Sequence, residues 1–332
     1  MVFNYFLVIL FLSVDMCFSK HKQTLKMKTR LEPDDLNPRP IIGIVSESVP
    51  QEMMKQYQWA LSALHEDYSA FVEMGGARVV PILINKNTDY YQHKFNSLNG
   101  VIFAGEEVSL SNPAYLDAVN TLLQMAKQAN ERNDYFPILS IAAGFTALSN
   151  LLSDTNVNSS CSCEDTALAL TMTSDYTTSR LFKDIPTDVN ESLTTRSVTF
   201  NDHRQCLATQ NVTGTPLGKI IHVLSTNKDK DGLEFVSTYE AIKYPFYAFQ
   251  WNPTLNPFEW SPQLPNIPHS LESVRVAQYI ANFFVEEARK SDHHFSDPHD
   301  EMSSLVWHYQ RYYITNVDTP IRVMYLFKNS TT

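Results

Sequence analysis

The stretch ILSIAAGFTALSNLLS, Ile138 to Ser153, joins an apolar strand to a helix through Ala142-Ala143-Gly144. A small-residue elbow between a strand and a helix is where many hydrolases expose a nucleophile. The apex here is alanine, which has neither a nucleophilic atom nor a proton to give. Ser140 lies two residues before the apex and Ser149 well inside the helix, with no histidine adjacent in sequence. Both read as ordinary strand and helix serines, because an activated nucleophile needs a base within hydrogen-bond reach. Cys161 and Cys163, taken with His293-His294, raise the question of a metal. Their spacing fits no zinc pattern and the histidine pair sits in a polar stretch, so neither metal nor cofactor is expected.

The chain has 332 residues, 43% hydrophobic and 19% charged. That composition fits a globular protein with a substantial core. A formal charge of −10, without a dense Lys/Arg run, argues against a nucleic-acid partner. Phe6 to Val14 is a short apolar run, and Cys17 and Ser19 place small residues before Lys20. This reads as a signal peptide over 1–19, too short for a stable membrane span. Entry into the secretory route, ending outside the cell or in the lysosomal or vacuolar lumen, follows. Sequons at Asn158, Asn190, Asn211 and Asn329 then become expected glycosylation sites. With Cys17 removed, three cysteines remain, and a bridge across the single residue between Cys161 and Cys163 would be strained. A bridge from one of them to Cys206 stays open.

Several elements must hold the elbow in place. Residues 20–38 read as a polar, proline-containing linker. Ile41 to Val45 reads as a buried strand. Trp59, Leu61, Leu64, Tyr68, Phe71 and Val72 fall at helical spacing and predict a helix over 57–74, closed by Gly75-Gly76. A strand over 77–84, a helix over 90–98, a strand over 100–105, a helix over 115–130 and a strand over 136–141 follow. This alternation predicts an α/β fold with a mostly parallel central sheet flanked by helices. Function in such sheets sits at the carboxyl ends of strands, here Ser46-Glu47, Gly105-Glu106 and Ala142. Residues 153–211 are rich in Ser, Thr and Asn. Runs from Lys219, Leu233 and Phe246, split by a polar turn at 228–232, predict antiparallel hairpins in the second half. A helix over 273–290 returns at the end.

The stretches RPIIGI, GGARVVP, LNGVIFAG, DYFPILSIAAGF, FVSTYEAIKYPFYAFQWNP and FFVEEARKSDHHF carry a resemblance. Over residues 39–295 the chain resembles the gamma-glutamyl hydrolase family, peptidase family C26. That family belongs to the class I glutamine amidotransferase-like, flavodoxin-like superfamily. The resemblance leaves 296–332 as a C-terminal tail that packs on or extends the domain. It implies a cysteine hydrolase that removes gamma-linked glutamate from folate polyglutamates, with a histidine as base. The thiolate attacks the amide carbonyl and backbone N–H groups hold the oxyanion.

Matched residue by residue, the nucleophile position is Ala142 and the base position, in Trp251-Asn252-Pro253-Thr254, is Asn252. Supporting acids are replaced by Thr146 and Thr254, and Glu106 stands in the oxyanion loop after Gly105. Substrate-side positions fall at His203, Gly105, Ala143 and Phe145. His203 reads as a carboxylate contact or as a polar surface histidine, and Glu106 as a new acid or a solvated loop residue. The resemblance also implies a small gamma-glutamyl or folate-like ligand, and a homodimer or a heterodimer with an active paralogue. With nucleophile and base both altered, a catalytically inactive homologue is expected; a hydrolase with altered residues is the alternative.

Overall fold

The computed structural model describes residues 36–49, 51–105, 110–316 and 319–328. The expected signal peptide, most of the expected linker, Glu106 and the Asn329 sequon lie outside them. Strands β1 (Ile41–Val45), β3 (Arg78–Ile82), β4 (Val101–Phe103), β5 (Ile138–Ile141) and β11 (Phe246–Phe249) are parallel neighbours in the order β3-β1-β4-β5-β11. The sheet continues with antiparallel β10 (Glu234–Ala241), β9 (Ile221–Lys228) and β7 (Thr171–Met172). The mostly parallel sheet and the β9–β10 hairpin are as the sequence leads one to expect.

Both faces of the parallel half are covered, which is why its strands are apolar without alternation. On one side Ile41 and Val45 join a core with α3 (Thr88–Ser97), α4 (Pro113–Glu131) and α5 (Ala143–Ser153). On the other, Ile42 and Ile44 pack with α2 (Glu66–Met74), α6 (Thr187–Thr195) and α8 (Leu271–Ala288). Local chemistry sets the helix starts: the Asn112 side chain accepts from the Ala114 N–H, with Pro113 in the first turn of α4, and Ser270 caps α8 at Ser273.

The helix expected over 57–74 is only half a helix. Ser62–His65 forms β2, and the helix starts at Glu66. β2 pairs antiparallel with β13 (Thr319–Phe327), which pairs in turn with β12 (Arg311–Asn316). Ala63, Met324 and Leu326 bury together with Val49 and Met53. Leu61 is half exposed, so the apparent helical stripe is not one face of anything. A strand partner more than 250 residues away overrides the local spacing. The Ser/Thr-rich region also carries structure: β6 (Ser159–Leu168) pairs antiparallel with β8 (Thr199–Cys206). Cys161–Cys206 bridges these two strands with Cα atoms 5.9 Å apart, and Cys163 is a buried free thiol. No described helix is long and apolar enough to cross a membrane.

Candidate functional site

The elbow keeps its backbone. Ala142 sits at φ 54°, ψ −113°, a conformation that costs a residue with a Cβ about 1–3 kcal/mol. Its N–H donates to the Phe249 carbonyl on β11 at 3.0 Å, and its own carbonyl accepts from the Thr146 N–H at 3.3 Å. Two residues on, a Cβ added to Gly144 would stand 1.8 Å from the Phe103 carbonyl oxygen of β4. Only glycine lets the start of α5 approach β4 this closely. The sequence therefore still specifies the turn that would present a nucleophile, and presents a methyl group.

The donor an oxyanion would use is committed elsewhere. The Ala143 N–H, first in α5, donates to the Gly105 carbonyl at 3.2 Å, and Gly105 adopts φ 137°. Thr146 and Ala143 line a cavity of about 250 Å3 together with Ala142 and Gly105. Phe145 does not. It is fully buried in the core against Tyr239, ring centroids 5.1 Å apart, because the helical turn carries it to the opposite side from the cavity. Ser149 is tied to the Phe145 carbonyl at 2.8 Å and the Tyr239 hydroxyl at 3.1 Å. Ser140 is buried in β5.

Asn252 reaches the same cavity from the loop after β11. Its N–H donates to the Phe200 carbonyl of β8 at 2.9 Å, and its side-chain amide donates to the Tyr68 hydroxyl at 3.3 Å. Its Oδ1 accepts from the Thr254 N–H at 3.0 Å and lies 2.8 Å from the Thr254 hydroxyl, which also reaches Asp67. Thr254 is fully buried. Amide, hydroxyl and phenol thus form a connected network, and the amide at its centre cannot shuttle a proton. The adjacent Trp251 is buried with its Nε1–H on the Thr238 hydroxyl at 3.1 Å, which anchors the loop.

His203 borders the cavity, yet its ring is turned to the protein. Nε2 lies 3.1 Å from Asn201 Oδ1, while Nδ1 lies 3.3 Å from the Cys206 sulfur and 3.6 Å from that of Cys161. Burial pushes its pKa down to about 4, with Asp229 opposing part of the shift. A neutral imidazole with its N–H engaged is a poor partner for a carboxylate. Cys161, His203 and Cys206 do converge, but both sulfurs are joined in the disulfide. His293 is held by Asp134 and the Phe95 carbonyl and does not meet the cysteines. Among the described sequons, Asn158 and Asn211 use their amide nitrogens in hydrogen bonds, whereas Asn190 accepts at Oδ1 from Tyr176.

Other side chains on the cavity were not singled out in the sequence. His65 and Asp67 come from the end of β2 and the start of α2, and His65 Nε2 lies 3.0 Å from buried Glu47. Glu47 follows β1 at one of the strand ends where function was expected. Its partner was hidden inside the misassigned helix. Asp202, Arg204 and Glu164 come from β8 and β6, Gln250 from the end of β11 and Glu259 from the loop after α7 (Leu255–Phe258).

The peptidase C26 family profile matches residues 40–254. The chain is 34% identical over 287 residues to the gamma-glutamyl hydrolase of Homo sapiens, covering 86% of this chain and 89% of that one. It is 34% identical to the enzyme of Rattus norvegicus, covering 85% and 87%. It is 30% identical to gamma-glutamyl hydrolase B of Dictyostelium discoideum, covering 89% and 85%. Among solved structures, a glutamine amidotransferase from Thermotoga maritima aligns with 76% of this chain and 99% of its own at 9% identity, with a TM-score of 0.41. The retained elbow and the sequence likeness over most of the chain lead to one assignment: this chain belongs to the gamma-glutamyl hydrolase family, peptidase C26.

Proposed function

We propose that this chain is a non-hydrolysing member of the family, whose cleft serves binding rather than cleavage of gamma-glutamyl amides. One observation carries the reading: a strained, intact elbow ends in Ala142 while the base position holds the hydrogen-bonded amide of Asn252. Loss of one member of a nucleophile–base unit already removes most of the rate, and here both are absent. The signal peptide and sequons support a luminal or secreted glycoprotein, acting as a homodimer or beside an active paralogue. Incubation with a folate polyglutamate, followed by chromatography, is expected to show no chain shortening. Turnover that disappears when a cavity residue is mutated would overturn the proposal. Ala142→Cys with Asn252→His tests the scaffold in the other direction, and measurable turnover by that double variant is expected if only side chains were lost.

A second reading has its own support. The buried His65–Glu47 pair is an imidazole held by a carboxylate on the cavity wall, the arrangement that poises a general base. Under that reading water is the nucleophile and His65→Gln abolishes whatever hydrolysis wild type shows.

A further inference from the structure

The ribbon of β6 and β8 brings three metal-ligating atoms to one point. The sulfurs of Cys161 and Cys206 and a ring nitrogen of His203 all lie within 4.8 Å of one another, and all three residues are buried. Nδ1 of His203 is 3.3 Å from the Cys206 sulfur and 3.6 Å from that of Cys161. In the oxidised chain the two sulfurs form the disulfide. Cys163, buried in the same apolar cluster as both cysteines, lies outside the converging group.

A second observation concerns the lone pair on that nitrogen. The Asn201 amide nitrogen donates to the Thr199 carbonyl at 3.0 Å and reaches the Thr166 carbonyl at 3.5 Å, which leaves Oδ1 for His203. Oδ1 is an acceptor, so at 3.1 Å it takes the N–H of Nε2. The neutral ring then has no hydrogen on Nδ1. Its lone pair faces two disulfide sulfurs that have no hydrogen to give. Buried polar atoms are almost always satisfied, and His203 is only 6% exposed. An imidazole anchored through one nitrogen, with the other presented bare, is how proteins hold a histidine that ligates a metal. His203 also borders the cleft, which gives an ion a route in from solvent.

We infer that the reduced chain binds a zinc ion here, through the thiolates of Cys161 and Cys206 and Nδ1 of His203. A dithiol reductant supplies two electrons and two protons, leaves as its own disulfide, and turns the bridge into two thiols. Zn2+ then displaces both thiol protons to solvent. The two thiolates balance the charge of the ion, so its burial leaves no net charge behind. Zinc takes four ligands, and the fourth position falls to water from the cleft. Disulfide and zinc exclude one another, whatever the cleft itself does.

The test titrates Co2+, as a spectroscopic probe, into the full chain reduced with a phosphine under anaerobic conditions, and then adds Zn2+. One equivalent of Co2+ is expected to give thiolate-to-cobalt charge-transfer absorption that Zn2+ removes, and the oxidised chain none. Cys206→Ser is expected to abolish the band. His203→Ala is expected to weaken binding at least tenfold and Asn201→Ala, which leaves every ligand in place, about tenfold. Cys163→Ser is expected to bind as wild type does. Circular dichroism follows folding throughout. A folded reduced chain without the band, a band that survives Cys206→Ser, or one lost in folded Cys163→Ser overturns the assignment. A reduced chain that unfolds and that Zn2+ does not refold overturns it as well.

Discussion

The two walls of the cleft differ in what they bring to it. The elbow wall, β5 and α5, holds a strained turn with Ala142 at its apex. The wall built by β2 and α2 brings ionisable side chains, His65 and Asp67, to the same cavity. A backbone turn is fixed by many contacts at once, so its shape does not depend on the side chain at its apex. Ala142 is held by β11 on one side and by the close approach of Gly144 to β4 on the other. Asp67, on the facing wall, is tied to the structure through the Thr254 hydroxyl.

The sharpest break of this comparison is Gly144→Val. Any Cβ at 144 overlaps the Phe103 carbonyl, and neither backbone segment can move without opening the sheet. A loss of about 4 kcal/mol or more is expected. Thermal denaturation checks it. A variant that melts near wild type would mean that the elbow is not pinned by this approach, and its persistence would need another cause.

A smaller effect comes from His203, at the join between cleft and disulfide. Folded, it stays neutral until about pH 4, while an unfolded histidine takes a proton near pH 6.5. Between these values the unfolded chain binds more protons, so stability falls as the pH drops from 6.5 towards 4. The loss is on the order of 3 kcal/mol at full extent. Melting temperatures of wild type and His203→Gln across this range separate it from carboxylate titration. The variant is expected to show the shallower decline, and parallel curves would place His203 in a more polar setting than its contacts imply.

The fold was legible where physics is local. Ile41–Val45 and Ile138–Ile141 are buried on both faces, so composition alone marks them as parallel strands. Helix α4 announces itself through Asn112, Pro113 and its apolar period. What was not legible is non-local. Ser62–His65 is a strand only because residues near the C-terminus pair with it. β6 is rich in Ser and Thr, and β8 in charged and amide side chains, because they form a two-stranded sheet that is partly exposed. The site divides in the same way. Ala142 and Asn252 were found by matching a family pattern, whereas Asp67, Gln250 and Glu259 share a cavity only after three separate chain segments fold. No spacing rule in the sequence joins them.

The smallest expected effect is the most direct measure of what the elbow still costs. Glycine tolerates the apex conformation that Ala142 must strain to adopt, but it also loosens the unfolded chain. Relief of about 1–3 kcal/mol set against an entropic loss of about 0.4–1 kcal/mol leaves Ala142→Gly stabilising by about 1 kcal/mol. The matched control is Ala147→Gly, buried in regular α5 with no strain to relieve, where a loss of about 1 kcal/mol is expected. Opposite signs in denaturant titrations of the two variants would show that the chain still maintains a strained apex with no catalytic atom on it. Equal losses would mean that the apex is relaxed, and that the elbow persists simply because it has become a comfortable turn.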